Sequence, residues 1–151
     1  MYYITVIERH GRSGGIGRGF CTGIDINDYS IGITISHDSH NLTVVGRNVR
    51  DMYRAVRELE RVGGGIVLVK DSEVISLVKL DIAGLMSDDE DVINDLEKLL
   101  SHIDSDIRRG LYKIAPLMFA SLVVVPEIRI TDLGLVDVES GKIIDPIVSF
   151  E

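Results

Sequence analysis

The chain has 151 residues, 45% of them apolar and 26% charged, and its 16 basic and 24 acidic side chains give a formal net charge of −8. That length supports a core without staples, so residues 1–151 are expected to form a single domain. The acidic balance argues against a nucleic-acid or anionic-membrane partner, because neutralising phosphate needs a basic face, and the lone cysteine, Cys21, excludes an internal disulfide and a cysteine-rich zinc site.

In chain order, Tyr2–Glu8 alternates and is rich in β-branched and aromatic residues, so it reads as a strand. Gly11–Gly19 holds glycines with Arg12 and Arg18 among them and reads as a loop, followed by a weak strand over Phe20–Ile26. Tyr29–Ser36 alternates Ile31, Ile33 and Ile35 with smaller residues and reads as a strand. The polar run His37-Asp38-Ser39-His40-Asn41 interrupts it, and Leu42–Val45 resumes extended structure. Asn48 is an N-cap candidate for a helix that carries Val49, Met52, Tyr53, Val56 and Leu59 at helical spacing and stops at Gly63. Ile66–Val69 and Glu73–Leu80 read as a hairpin around Asp71-Ser72. Ser87 and Glu90 have the spacing of a capping box. The helix after them has an apolar stripe of Ile93, Leu96, Leu99, Leu100, Ile103 and Ile107, with Gly110 as its stop. Leu111–Val125 is ambiguous: Pro116 can open a helix, whereas Val123-Val124-Val125 favours a strand. The tail, Glu127–Phe150, reads as short strands with turns at Asp132–Gly134 and Ser140-Gly141. This order predicts an α+β fold, a mostly antiparallel or mixed sheet with about two to three helices packed on it.

No stretch reaches the ~18 consecutive apolar residues of a membrane span. The run Leu117–Val125 is broken by Ser121 and closed by Pro126. Met1–Val6 lacks the basic region and cleavage site of a signal peptide, so a cytoplasmic location is expected.

The His37–Asn41 run is the most informative feature for chemistry. Imidazole binds metals and moves protons near neutral pH. Asp38 could orient a ring, and Asn41 offers a donor and an acceptor suited to a heterocycle edge. The plainer reading is a connection whose side chains bond their own backbone. His37 and His40 are the only metal candidates, and they fall short of a ligand set, which needs a third or fourth member. Arg9 and His10 end the first strand beside the glycine loop, where functional residues often sit. Gly14–Gly19 superficially matches a phosphate loop, but no helix-like sequence follows it. Asp88–Asp91 is explained by favourable charge at a helix start. Cys21 reads as a small buried apolar residue.

Four blocks resemble the C-terminal region of adenine deaminases, in that family's order and over nearly the whole chain. They are Glu8-Arg9-His10-Gly11; His37–Asn41 with Val44-Val45-Gly46; Ile82–Asp88; and Pro126-Glu127 with Thr131–Val138. The resemblance implies an accessory domain of an amidohydrolase-superfamily enzyme whose metal-binding (β/α) barrel, carrying manganese or iron, converts adenine and water to hypoxanthine and ammonia. The chain is too short for that barrel, which takes ~200 residues or more, and it lacks the barrel's HxH pair. No cofactor is expected in this chain alone. The implied partners are a catalytic barrel domain or subunit, a purine base and a homo-oligomeric copy. His37, Asp38, His40, Asn41, Arg9 and His10 are the candidates for facing the barrel or the ligand; no residue is assigned a catalytic step. The chain departs from the family at Gly32-Ile33-Thr34-Ile35-Ser36, bulkier than the family's small, Ala-rich approach, and at Pro116-Leu117-Met118-Phe119. That bulk favours an alternative, a free-standing non-catalytic module binding a purine-like ligand. An independent metal hydrolase using His37 and His40 is the third reading.

Overall fold

The computed structural model describes residues 1–145. Six strands form one sheet in the order β2-β1-β4-β3-β5-β6, every neighbouring pair antiparallel. They are β1 (Tyr2–Ile7), β2 (Ile16–Cys21), β3 (Ser30–Ile33), β4 (Leu42–Gly46), β5 (Gly65–Lys70) and β6 (Glu73–Lys79). A second, three-stranded antiparallel sheet joins β7 (Ile128–Thr131), β8 (Gly134–Asp137) and β9 (Lys142–Ile144). With α1 (Val49–Val62), α2 (Val92–Ile103) and α3 (Ile107–Met118), this is the expected α+β architecture with a mostly antiparallel sheet.

The strand period of two divides the main sheet into two faces. Tyr2, Ile4, Val6, Ile31, Ile33, Val45, Ile66 and Leu68 point to one side, where Leu99, Leu100, Ile103, Ile114 and Leu117 of α2 and α3 and Ile130 of β7 cover them. Leu42, Val44, Val67 and Val69 point to the other side, against Met52, Ala55 and Leu59 of α1. The bulk of Ile33 therefore fills the core and does not crowd the polar turn that follows it.

Helix α1 follows its sequence signals. The Asn48 side chain accepts from the Arg50 N–H at 2.9 Å, and Gly63 takes φ 90° while its N–H donates to Leu59 O at 3.0 Å. The β5–β6 hairpin turns at Asp71 and Ser72, both at positive φ (53° and 66°), as a tight hairpin requires.

Other expectations need correction. The single helix expected after Ser87 is two. Asp104 is extended and Asp106 caps α3, its carboxylate accepting from Arg108 N at 2.9 Å, so these short acidic side chains close one helix and open the next. Ser87 and Glu90 form no capping box: the Ser87 hydroxyl bonds Asp89 N, and α2 starts at Val92 with no side-chain cap. Gly110 does not end a helix but lies inside α3, where a Cβ would come within 2.9 Å of Leu100 O; it lets α2 and α3 approach. Ile93 is 60% exposed and so leaves the expected stripe, and Ile107 opens α3. Pro116 sits in the last turn of α3 instead of opening a helix, and the exposed Val123–Val125 run forms turns, with no strand.

The strand expected at Phe20–Ile26 is Ile16–Cys21, its first four residues drawn from the glycine run read as a loop. A Cβ at Gly17 would lie 1.8 Å from Thr131 O, and one at Gly19 would meet Leu135 and Ile130 within 3.4 Å. These glycines let the second sheet settle on the backbone of β2. The strand expected to reach Ser36 stops at Ile33, because Thr34 turns its hydroxyl to backbone: Gly65 N donates to it at 2.8 Å and it donates to Gly84 O at 2.6 Å. The end of the tail expectation, 146–150, lies outside the described residues.

Candidate functional site

The turn from His37 to Asn41 joins β3 to β4 at the sheet end where β1 finishes, so Arg9 and His10 arrive beside it. Arg9 holds it in place. Its Nε donates to His40 O at 2.7 Å and its Nη2 to Ala83 O at 2.5 Å. A Cβ at Gly84 would strike that guanidinium at 2.5 Å, which is why a glycine follows Ala83. Three blocks that are distant in sequence thus meet at one side chain. His10 Nε2 lies 2.8 Å from Ser39 O, a second tie from the same strand end.

The turn itself is tight. His40 takes φ 50°, and its N–H donates to Ser36 O at 2.6 Å. The peptide between His37 and Asp38 is cis. His37 N donates to Met118 O at 2.8 Å, and the His37 ring stacks on Phe119 with centroids 5.2 Å apart. The His40 ring meets His37 edge-on at 5.7 Å. Beneath them Ser36 Oγ lies 2.6 Å from Ser121 Oγ and 3.1 Å from Thr43 Oγ1, a buried hydroxyl cluster. Asn41 is buried, and its Nδ2 donates to Asp132 Oδ1 at 3.2 Å. Asp132 also accepts from Ser13 Oγ at 2.9 Å, so the β7–β8 turn ties the polar run to the glycine loop.

Of the sequence candidates, the structure brings His37, His40, Asn41, Arg9 and His10 into one cluster, with Asp38 exposed at its tip. Their tasks differ. Arg9 and Asn41 are committed to protein groups, whereas His37 and His40 have no ring hydrogen bond among the described residues. His40 Nδ1 and Asn41 Oδ1 are buried without a partner. Burial pushes the His40 imidazole below its ordinary pKa, and the neighbouring His37 and Arg9 add to this, so His40 is neutral at pH 7. Thr34, Phe119 and Asp132 join the cluster unforeseen. Asp132 stood inside a quoted block, and Thr34 and Phe119 lay in the two segments that depart from the family pattern, though none of the three was named as a site residue.

The glycine loop is not an open anion cradle. The Glu8 carboxylate fills it, accepting from His10 N at 2.5 Å, Arg12 N at 2.9 Å, Gly14 N at 3.1 Å and Ser13 N at 3.2 Å. Desolvation works upward on that carboxyl, but the four N–H bonds together outweigh it and hold the pKa below the ordinary value. Cys21 is half-buried and its thiol is pushed up by burial.

No group of three or more His, Cys, Asp or Glu residues that could hold a metal converges among the described residues. His37 and His40 offer two imidazoles and no third ligand, so manganese or iron does not fit this cluster. No helix of the described residues is long and apolar enough to cross a membrane. A concavity of about 830 Å³ runs along α1 over β1 and β2; Arg9 and Thr34 reach its end, but His37 and His40 do not line it.

The structure defines a small α+β unit that presents a polar turn pinned by Arg9 at one end of its main sheet. The chain belongs to the adenine deaminase C-terminal domain family, whose model matches residues 1–142. It is 43% identical over 143 residues to an adenine deaminase of Dehalococcoides mccartyi, covering 93% of this chain and 25% of that protein. It is 45% identical over 145 residues to an adenine deaminase of Thermosipho melanesiensis (94% and 25%) and 39% identical over 147 residues to one of Staphylothermus marinus (95% and 24%). The chain spans about a quarter of the length of these relatives.

Proposed function

We propose that residues 1–151 act as a single accessory domain of an adenine deaminase, completing the site of a catalytic barrel that converts adenine and water to hypoxanthine and ammonia. The observation that carries this is the pair His37 and His40, held rigidly on an outer turn while their ring nitrogens stay uncommitted. A residue that serves only the fold normally finds partners for such atoms.

Manganese or iron in such an enzyme would supply an activated hydroxide and would be held by the barrel. The present chain's share is positioning and proton management. Neutral His40 can accept a proton or a hydrogen bond at neutral pH. His37, stacked on Phe119, offers a flat wall and a ring nitrogen. Asp38, at the tip, can accept from an amino group or orient an imidazole. His10 stands beside Ser39, while Arg9 and Asn41 fix the turn that carries the others. Site closure of this kind accelerates chemistry by orientation and by excluding water. We place the assembly in the cytoplasm and leave a homo-oligomeric arrangement as part of the proposal.

The test measures ammonia release from adenine by the chain alone, by a barrel-only protein, and by the mixture, with metal content determined for each. Activity in the mixture well above the sum of its parts is the expected result. Adenine binding by this chain with no effect on a barrel's turnover would replace the proposal with a free-standing purine-binding module. Turnover by the chain alone, with stoichiometric metal, would make it an independent hydrolase.

A further inference from the structure

The face of the main sheet that carries α1 is covered over only part of its width, with β1 and β2 left beside the helix. Six strands spaced about 4.8 Å apart span roughly 25 Å, room for two helices of ~10 Å diameter side by side. Helix α1 lies over β3, β4 and β5 and reaches β6, and among the described residues α2 and α3 pack on the opposite face. Over β1 and β2 it leaves a groove about 830 Å³ in volume. Its floor is Thr5 and Ile7, with Tyr3 45% exposed and Ile16 49% exposed. On the helix side, Val49 is 66% and Tyr53 65% exposed. Phe20, 58% exposed, continues this apolar face along β2 and packs on Tyr3 with centroids 5.2 Å apart.

The opposite face shows what a finished side looks like. There α2, α3 and the second sheet leave Ile4, Val6, Ile31 and Leu68 each at 3% exposure or less. Large aromatic and β-branched side chains left bare together, between a helix and a sheet, are the mark of an interaction surface. The charges on the groove are nearly all engaged. Arg57 pairs with Glu60, Glu8 fills the glycine loop and Arg9 clamps the polar turn. Arg18, exposed on the β2 rim, has no hydrogen-bond or ion-pair partner among the described residues.

We infer that this groove receives one amphipathic α-helix, laid beside α1 with an apolar stripe on Tyr3, Ile16 and Tyr53 and a carboxylate at Arg18. The helix comes from the part of an adenine deaminase that lies outside this domain. That source rests on the accessory-domain reading above and on the three quarters of each relative's length that the chain does not span. The width of the vacancy fixes the kind of element, and the unpaired guanidinium fixes the charge beside its stripe.

The test uses a whole enzyme in which residues 1–151 replace the matching quarter of the Thermosipho melanesiensis relative. A photo-crosslinking amino acid stands at position 53 or, separately, at position 38. Mass spectrometry of the position-53 product should identify one peptide with helical apolar spacing in the preceding part of the polypeptide. Val49→Glu and Arg18→Glu should each cut that crosslink at least fivefold, and neither should shift the melting temperature of the free chain, since both side chains are exposed. Crosslinks from position 38 but none from position 53 would overturn the groove assignment and leave the accessory-domain reading standing. Absence of crosslinks from both positions would remove that reading as well. A position-53 crosslink to a second copy of this domain, together with a free-chain dimer that Tyr53→Glu dissociates, would also overturn the inference.

Discussion

At the scale of single residues, the cluster contains two kinds of side chain. Arg9 makes two charge-assisted bonds to carbonyls on segments far apart in sequence, and each such bond contributes about 1.5–3 kcal/mol. Arg9→Ala should therefore cost ~2 kcal/mol or more in urea unfolding. His37 gives up its stack on Phe119 and its edge contact with His40 when truncated, ring contacts of roughly 0.5–1.5 kcal/mol. His37→Ala should thus lower stability less than Arg9→Ala, yet abolish most of the adenine turnover gained on mixing with a barrel. If His37→Ala were the more destabilising of the two and left turnover intact, the turn would be structural only. His40 allows a separate check. Its folded pKa lies below the ordinary 6.5, so in the window just under 6.5 the unfolded chain binds more protons than the folded one. Stability rises with pH there and is lost as pH falls. The urea midpoint should drop between pH 7 and pH 5, and His40→Asn, which tolerates positive φ, should flatten that slope. An NMR titration placing the His40 pKa at or above 6.5 would contradict this.

Among elements, β2 is decided by packing more than by propensity. Gly17→Ala would drive a Cβ into Thr131 O. We expect a loss of about 1–3 kcal/mol, the range for overpacked sites, and faster protease cleavage within β7–β9 than elsewhere. Unchanged cleavage would mean that the second sheet is held by other contacts. This element also marks where sequence reading runs out. Alternation in β1, β3 and β4 and the caps of α1 are local signals, and those elements stand close to where they were expected. The glycines of β2 read as a loop because their purpose, close approach by a hairpin more than 100 residues later, is non-local. Asp104 and Asp106 divide a helix whose apolar stripe continued across them. For the site, the His37–Asn41 run, Arg9 and His10 were legible as separate candidates, and only the fold brings them together. That Arg9 and Asn41 support while His37 and His40 stay free depends on carbonyls and on Asp132, which spacing cannot show.

For the whole molecule, a partner that binds only the folded chain raises its stability by RT ln(1 + [L]/Kd), ~2.7 kcal/mol at a hundredfold excess over Kd. The melting temperature of the chain should therefore climb with added barrel protein and stay flat with added adenine alone. A rise with adenine and none with barrel would favour the purine-binding module. One architectural detail has a kinetic consequence. The β7–β9 sheet rests on β2 through glycine backbone, and its outermost strand, β9, is largely exposed. Regions with few buried contacts open before the rest of a protein, so amide protons in β8 and β9 should exchange with solvent ahead of those in β3 and β5. Each such excursion would carry Asp132 away from Asn41, leaving the histidine turn moored by its arginine until the sheet settles again.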